Sequence, residues 1–227
     1  MPDALPLSLT VDDETTVSAL WMQPAGPRAA YVFAHGAGAG MHHGFMADLS
    51  AALAARSVAT LRFQFPFMER GSKRPDSPAV AHAAVRAAVR AAHSRLPGVP
   101  LFAGGKSFGG RMSSQAQAAA PMDGVRGLAF VGFPLHPAGK PGVERARHLA
   151  EVAVPMLFLQ GTRDELADLA LLREVLRPLA PQAALHVVDD ADHAFHVRAR
   201  SGRNDAQVVQ ELAQAMAQWF DAPERGA

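Results

Sequence analysis

Leu101-Phe-Ala-Gly-Gly-Lys-Ser-Phe-Gly-Gly-Arg-Met-Ser-Ser-Gln115 opens as a short apolar run and passes through a serine bracketed by glycines. It then continues into an alanine-rich segment free of Pro and Gly as far as Ala120. That succession reads strand, sharp turn, helix. Within it Gly105-Lys-Ser-Phe-Gly109 has the G-x-S-x-G form of a nucleophile elbow, in which a serine occupies a strained turn with its oxygen exposed above the sheet. Glycine on both sides allows the tight turn and a close approach of helix to strand. The helix that follows presents free N–H groups and its positive dipole end to the place where an oxyanion would form. A plain glycine-rich strand-to-helix turn is the competing reading of these five residues alone, so the rest of the chain has to decide.

A serine hydroxyl is a poor nucleophile until a base takes its proton, and the base needs a third group to orient it. After such an elbow the partners are expected in the order acid, then histidine, each just past a strand. Met156-Leu-Phe-Leu-Gln-Gly-Thr-Arg-Asp164 supplies an apolar strand, a glycine turn and a carboxylate. Leu185-His-Val-Val-Asp-Asp-Ala-Asp-His193 supplies a strand, an acidic turn and an imidazole. The reading is therefore Ser107 as nucleophile, His193 as base and Asp164 as orienting acid. Asp164 has a structural alternative as the cap of a helix beginning near Glu165, and Glu165 and Asp168 are its rivals, Asp168 being expected inside that helix. Among the ten histidines, His196 is the main competitor of His193, while His186 falls within a strand and His148 within a connection.

Composition narrows the field. The 227 residues suffice for one domain with a sizeable core, expected to span 1–227. With 49% hydrophobic and 19% charged residues the chain is that of an ordinary globular protein. A formal net charge of +1 gives no electrostatic reason to expect nucleic acid or a membrane surface as partner. There is no cysteine, which excludes disulfides, thiolate metal sites and a cysteine nucleophile. Met1-Pro-Asp-Ala-Leu-Pro6 has neither the basic start nor the apolar run of a signal peptide. A cytoplasmic enzyme or binding domain is the resulting expectation.

Strand-like and helix-like runs alternate along the chain. Residues 17–21, 29–34, 58–63, 101–103, 127–131, 156–159 and 184–188 read as strands. Residues 44–56, 79–96, 108–120, 166–179 and 204–220 read as helices, the last with Asn204 or Asp205 as N-cap. The alternation predicts an α/β protein with a mostly parallel central sheet covered by helices on both faces. Residues 61–78 and 133–142, rich in Pro, Gly and charge, read as long connections. They would border a ligand beyond the carboxyl ends of the strands.

Tyr31-Val-Phe-Ala-His-Gly-Ala-Gly-Ala-Gly40 is a strand ending in His-Gly and small residues. Such a loop donates one oxyanion-hole N–H while the residue after the nucleophile donates the other, which nominates the backbone of Ala37 and Phe108. A nucleotide-binding alternative fits poorly. No G-x-x-x-x-G-K-[ST] is present, and Leu61-Arg-Phe-Gln64 stands where a dinucleotide fold places an acid. His35 is expected to be structural rather than a base.

Taken together, these stretches resemble the α/β-hydrolase superfamily in its small, cap-less, dienelactone-hydrolase-like branch, over nearly the whole chain. Its dienelactone hydrolases carry a cysteine where this chain has Ser107. More narrowly, His35-Gly-Ala-Gly-Ala-Gly40, Leu61-Arg-Phe-Gln-Phe-Pro66, Arg74-Pro-Asp76, Gly105-Lys-Ser-Phe-Gly-Gly-Arg-Met112 and Gly132-Phe-Pro-Leu-His-Pro-Ala-Gly-Lys-Pro141 are similar to a subgroup of hydrolase-like proteins. That subgroup is itself similar to a testis-expressed protein and to a subunit of a histone-acetyltransferase complex. The resemblance implies Ser107, Asp164 and His193 as a triad and an α/β-hydrolase fold with no large cap domain. The expected activity is hydrolysis of a small ester or thioester through an acyl-enzyme, with no metal and no cofactor. The alternative is a hydrolase-fold binding or scaffold protein.

Basic residues gather around the expected site: Arg62, Arg70, Lys73, Arg74, Lys106, Arg111 and Lys140. Arg62 and Arg111 are the candidates for holding an anionic acyl group, by bidentate pairing. The alternative is that these cations are solvated or pair internally with Glu69 and Asp76. Phe63, Phe65, Phe67 and Met68 line either an acyl pocket or, more ordinarily, the core.

Overall fold

Alternate residues of Ala29–Ala34 enter two different cores. Ala30, Val32 and Ala34 belong to one buried cluster and Ala29, Tyr31 and Phe33 to the other. A strand with both faces buried reads as a continuous apolar run, as this one does. The computed structural model describes residues 2–222, so residues 1 and 223–227 of the expected domain span lie outside the described residues. Eight strands form one sheet: β1 (Leu5–Thr10), β2 (Thr16–Met22), β3 (Ala29–Ala34), β4 (Val58–Phe63), β5 (Leu101–Lys106), β6 (Val125–Val131), β7 (Met156–Gly161) and β8 (Ala183–Val188). Their spatial order is β1-β2-β4-β3-β5-β6-β7-β8. β2 pairs antiparallel with β1 and β4, and all pairings from β4 to β8 are parallel.

The helices are α1 (Gly44–Ala54), α2 (Pro66–Glu69), α3 (Pro78–Arg95), α4 (Phe108–Ala119), α5 (Leu169–Leu176) and α6 (Asp205–Phe220). α1 and α6 bury their apolar sides on one face of the sheet, whereas α3, α4 and α5 bury theirs on the other. α6 begins with a reciprocal cap. Asn204 Oδ1 accepts from the Gln207 N–H and Gln207 Oε1 accepts from the Asn204 N–H, each at 2.9 Å. Asn204, not Asp205, is thus the cap. The three-layer arrangement and the parallel majority are as the sequence predicts. No inserted cap domain lies over the strand ends among the described residues.

Three local differences have physical reasons. β1 was not legible because it is an edge strand with mostly exposed residues, joined only to β2 and carrying Pro6 where an edge tolerates it. The connection 61–78 contains the single-turn α2, started by Pro66 at its first position. The helix expected from 166 begins at Leu169, because Asp168 caps it by accepting from Ala170 N–H at 2.8 Å and Leu171 N–H at 3.0 Å. Asp168 therefore lies outside the helix interior, and Asp164 is not the cap.

The strand order reverses at β3. The chain leaves β3 through α1 to reach β4 on one side, then returns through α3 to β5 on the other. A crevice opens at the carboxyl ends of strands at such a point. Phe63, Phe65 and Phe67 lie wholly in the core beneath α4, with the Phe65 ring centroid 5.2 Å from that of Phe108. Of the two readings of these residues, the core is the one seen.

Candidate active site

Ser107 stands between β5 and α4 at φ 51° and ψ −116°. A non-glycine residue is held there only at a cost of about 1–3 kcal/mol, which the surrounding packing must offset. The glycines either side show how. A Cβ at Gly105 would stand 2.4 Å from Ala34 O, and one at Gly109 would stand 2.4 Å from the same oxygen. α4 thus sits directly on the end of β3, and the turn has no room to relax. The amide of Ser107 donates to Val131 O at 3.1 Å, which ties the elbow to β6.

The turn following β8 brings His193 over the elbow. His193 Nε2 lies 2.8 Å from Ser107 Oγ, and its Nδ1 lies 2.7 Å from Asp164 Oδ2. With Nδ1–H committed to a carboxylate, Nε2 is left to accept the serine proton. Asp164 is fully buried at its side chain and follows β7. Its Oδ1 accepts from Leu166 N–H at 2.8 Å and its Oδ2 also accepts from Gln160 Nε2 at 2.5 Å. The carboxylate is therefore satisfied by donors without a cation.

The rivals are occupied elsewhere. His196 pairs through Nδ1 with Asp205 at 2.8 Å on an exposed surface. His186 pairs with Glu211 at 2.8 Å, and His148 Nε2 lies 2.7 Å from Ser114 Oγ. Glu165 is exposed.

A cavity of about 400 Å³ opens at Ser107 and His193, walled by Gly36, Ala37, Ala39, Phe45, Met46 and Leu166. Ala37 lies on the loop after β3, and a Cβ on the preceding Gly36 would be 3.7 Å from Ser107 Cβ. Phe108 is the first residue of α4, where no preceding turn accepts its N–H. His35 is wholly buried. Its Nδ1–H donates to Gly36 O at 2.7 Å and its Nε2 accepts from Phe65 N–H at 3.0 Å. Burial brings its pKa down to about 4, so the ring is neutral and serves to lock the loop.

Arg62 and Arg111 do not line this cavity. Arg62 is 3% exposed and donates through Nη1 to Met41 O at 2.9 Å, while Gln64 Oε1 accepts from Met41 N–H at 2.9 Å. Both residues hold the loop that carries Ala37. Burial lowers the pKa of Arg62, and that of Arg111 is lowered by burial and then by the nearby Arg145. Arg70 pairs with Asp76 at 2.6 Å, and Lys73, Arg74 and Lys140 are exposed. Of the expected basic rim, Lys106 is the member that faces the cavity.

Two positions escaped the reading of the sequence. Gln160 bridges β7 to the site, because its Oε1 also accepts from Phe133 N–H at 3.0 Å. A polar residue inside the apolar run Met156–Gly161 must find partners when buried, and that was the available signal. His136 accepts from Asp168 N–H through Nε2 at 2.9 Å, and its own N–H donates to Leu166 O at 2.9 Å. It pins the 133–142 connection to the loop of Asp164.

Comparison with known proteins agrees with this architecture. A lid-less α/β serine hydrolase from Xanthomonas campestris shares 21% identity over 97% of each chain, with a TM-score of 0.75. A dienelactone hydrolase from Anabaena variabilis shares 19% over 99% of each chain, with a TM-score of 0.76. The esterase domain of a Rhodothermus marinus protein shares 16% over 96% of this chain and 97% of its own, with a TM-score of 0.70. Residues 27–221 match the model of the alpha/beta hydrolase domain, and this chain belongs to that family.

Proposed function

We propose that this hydrolase cleaves a small ester or thioester through an acyl-enzyme formed on Ser107. One observation carries the reading: the unbroken chain Ser107 Oγ–His193 Nε2 at 2.8 Å and His193 Nδ1–Asp164 Oδ2 at 2.7 Å, on the wall of a cavity. In this scheme His193 takes the serine proton as Oγ attacks the carbonyl, then returns it to the leaving group. Asp164 holds the imidazole in the productive tautomer and stabilises the imidazolium. The N–H groups of Ala37 and Phe108 receive the oxyanion, each such donor typically contributing about 2.7–4 kcal/mol in acyl transfer. Water then attacks the acyl-enzyme by the reverse route. None of these steps calls for a metal or cofactor.

The walls favour a compact, largely apolar acyl or alcohol group. With Arg62 and Arg111 off the cavity, we assign neither to a substrate carboxylate, and Arg62 holds the loop through Met41 O. The partner is then a small-molecule ester, and we propose a cytoplasmic setting. No described helix is long and apolar enough to cross a membrane.

A fluorophosphonate probe tests the reading. Labelling that disappears in Ser107→Ala, together with turnover of p-nitrophenyl acetate, supports it. Folded protein that takes no label anywhere from about pH 6 to 9 overturns it, since a serine activated by histidine reacts within that range.

A further inference from the structure

Lys106 and Ser107 are consecutive in the chain, yet both reach the same residue. Ser107 meets the His193 side chain, while Lys106 Nζ donates to the His193 main-chain oxygen at 2.5 Å. His193 sits in a tight turn with its own internal bonds. Asp192 Oδ1 accepts from the N–H groups of Ala194 and His196 at 2.9 Å each, and Ala191 pairs with Val197. On the β7 side this turn is anchored by Arg163, whose N–H donates to Ala191 O at 2.9 Å and whose Nη1 donates to Asp190 O at 3.1 Å. Towards β5 its anchors are Lys106 and Ser107.

The surroundings of the ammonium are unusual for a lysine. It lies 5.3 Å from the centre of the Phe195 ring, and a Cβ on Gly132 would be 3.0 Å from Nζ. Among the described residues it has no carboxylate at ion-pairing distance, and the His193 carbonyl is its hydrogen-bond acceptor. Such a bond is charge-assisted and about twice as strong as a neutral one. A flexible four-carbon stem held between a ring face and a backbone carbonyl is a strut, not a solvated surface charge.

We propose that Lys106 is a positioning residue for the hydrolysis assigned above, its ammonium fixing the backbone of His193 so that the imidazole stays seated on Ser107. The inference rests on that functional reading. Burial supports a titrating strut. It pushes Lys106 down to about 8, against the carboxylates of Asp164 after β7 and Asp192 in the turn after β8, both of which raise it. His193 faces it from the same turn. Loss of the proton leaves a weaker, neutral donor, so kcat declines on the alkaline side.

The chain has no cysteine, so one introduced at 106 is chemically unique. Lys106→Met and Lys106→Cys are to be compared with wild type on p-nitrophenyl acetate and with the fluorophosphonate probe, after confirming cooperative unfolding. Both variants are expected to lose about tenfold in kcat, since a slightly misplaced base is costly, with KM within about twofold. Labelling of Ser107 slows in parallel. Alkylating Lys106→Cys with 2-bromoethylamine rebuilds the side chain as a thioether amine. It is expected to restore kcat and to move the alkaline limb to lower pH, because that amine is less basic. Unchanged kcat in Lys106→Met, or equal activity before and after alkylation, overturns the inference while leaving the hydrolase reading intact. Wild-type protein that neither hydrolyses the ester nor takes the probe removes the hydrolase reading itself, and Lys106 then has no base to position.

Discussion

Gln160 donates from Nε2 to Oδ2 of Asp164 at 2.5 Å, the same carboxylate oxygen that receives His193 Nδ1. The amide is wholly buried and its other end holds Phe133 N–H. Replacing it with Met removes a donor from the carboxylate and leaves a buried N–H unpaired, a loss of about 1–3 kcal/mol in stability. Freed on one side, Asp164 orients the imidazole less well. Steady-state kinetics of Gln160→Met should show kcat lowered about tenfold with little change in KM. Wild-type kcat in a folded variant would argue against the orienting role.

His193 and His196 separate by outcome. His193→Ala should cost about a thousandfold or more in kcat, as heavily as Ser107→Ala, because groups that act as one unit lose their effect together. His196→Ala removes an exposed pair with Asp205 and should leave turnover within about twofold. The double variant Ser107→Ala/His193→Ala should be no slower than either single one. Turnover of p-nitrophenyl acetate by all four proteins checks the assignment.

His35 makes stability depend on pH. Its folded pKa is lowered from 6.5 to about 4, so the unfolded chain binds the proton more readily between those values. The contribution is complete above about pH 6.5 and is lost as pH falls towards 4, amounting to roughly 3 kcal/mol. His148 is likewise brought to about 4, by burial and then by Arg111 and His82, and acts in the same sense. Urea unfolding at pH 7 and pH 4.5 should show the loss in wild type and a smaller one in His35→Asn. An undiminished acid loss in that variant would exclude His35 as the source.

Gly109→Ala probes the contact that shapes the elbow. The new Cβ would lie 2.4 Å from Ala34 O and 2.6 Å from both Ala34 C and His35 O, all backbone atoms without freedom to swing aside. Thermal unfolding should register a loss of at least about 2–3 kcal/mol. Activity should fall further than stability alone accounts for, because β3 and Ser107 are forced apart.

Much of this was legible beforehand because it is local. The elbow, the carboxylate after β7 and the histidine after β8 each declare themselves by a strand, a turn and a residue type, and order along the chain then links them. What was not legible depends on contacts across the fold. Lys106 looked like part of a basic rim because its carbonyl partner is eighty-seven residues away. Arg62 and Arg111 looked like substrate ligands because charge invites a ligand. Whether a guanidinium enters the interior to hold Met41 O is set by packing, not by neighbours in sequence. The helix start slipped from 166 to 169 because Asp164, Glu165 and Asp168 are all plausible caps, and only the demands of His193 decide which one is free.

The reversal of strand order at β3 divides labour between two loops on adjacent strands. The elbow after β5 is wedged between α4 and the end of β3, whereas the loop after β3 is held from beneath by Arg62, Gln64 and His35 and supplies much of the cavity wall. On the proposed reading, a protein engineer can therefore treat positions 38 and 39 as a library for new acyl preferences and leave residues 104–110 untouched. In that scheme the rim of the wall can be redrafted while the turn bearing Ser107 is left alone, provided the backbone at Gly36 and Ala37 keeps its course beside the serine.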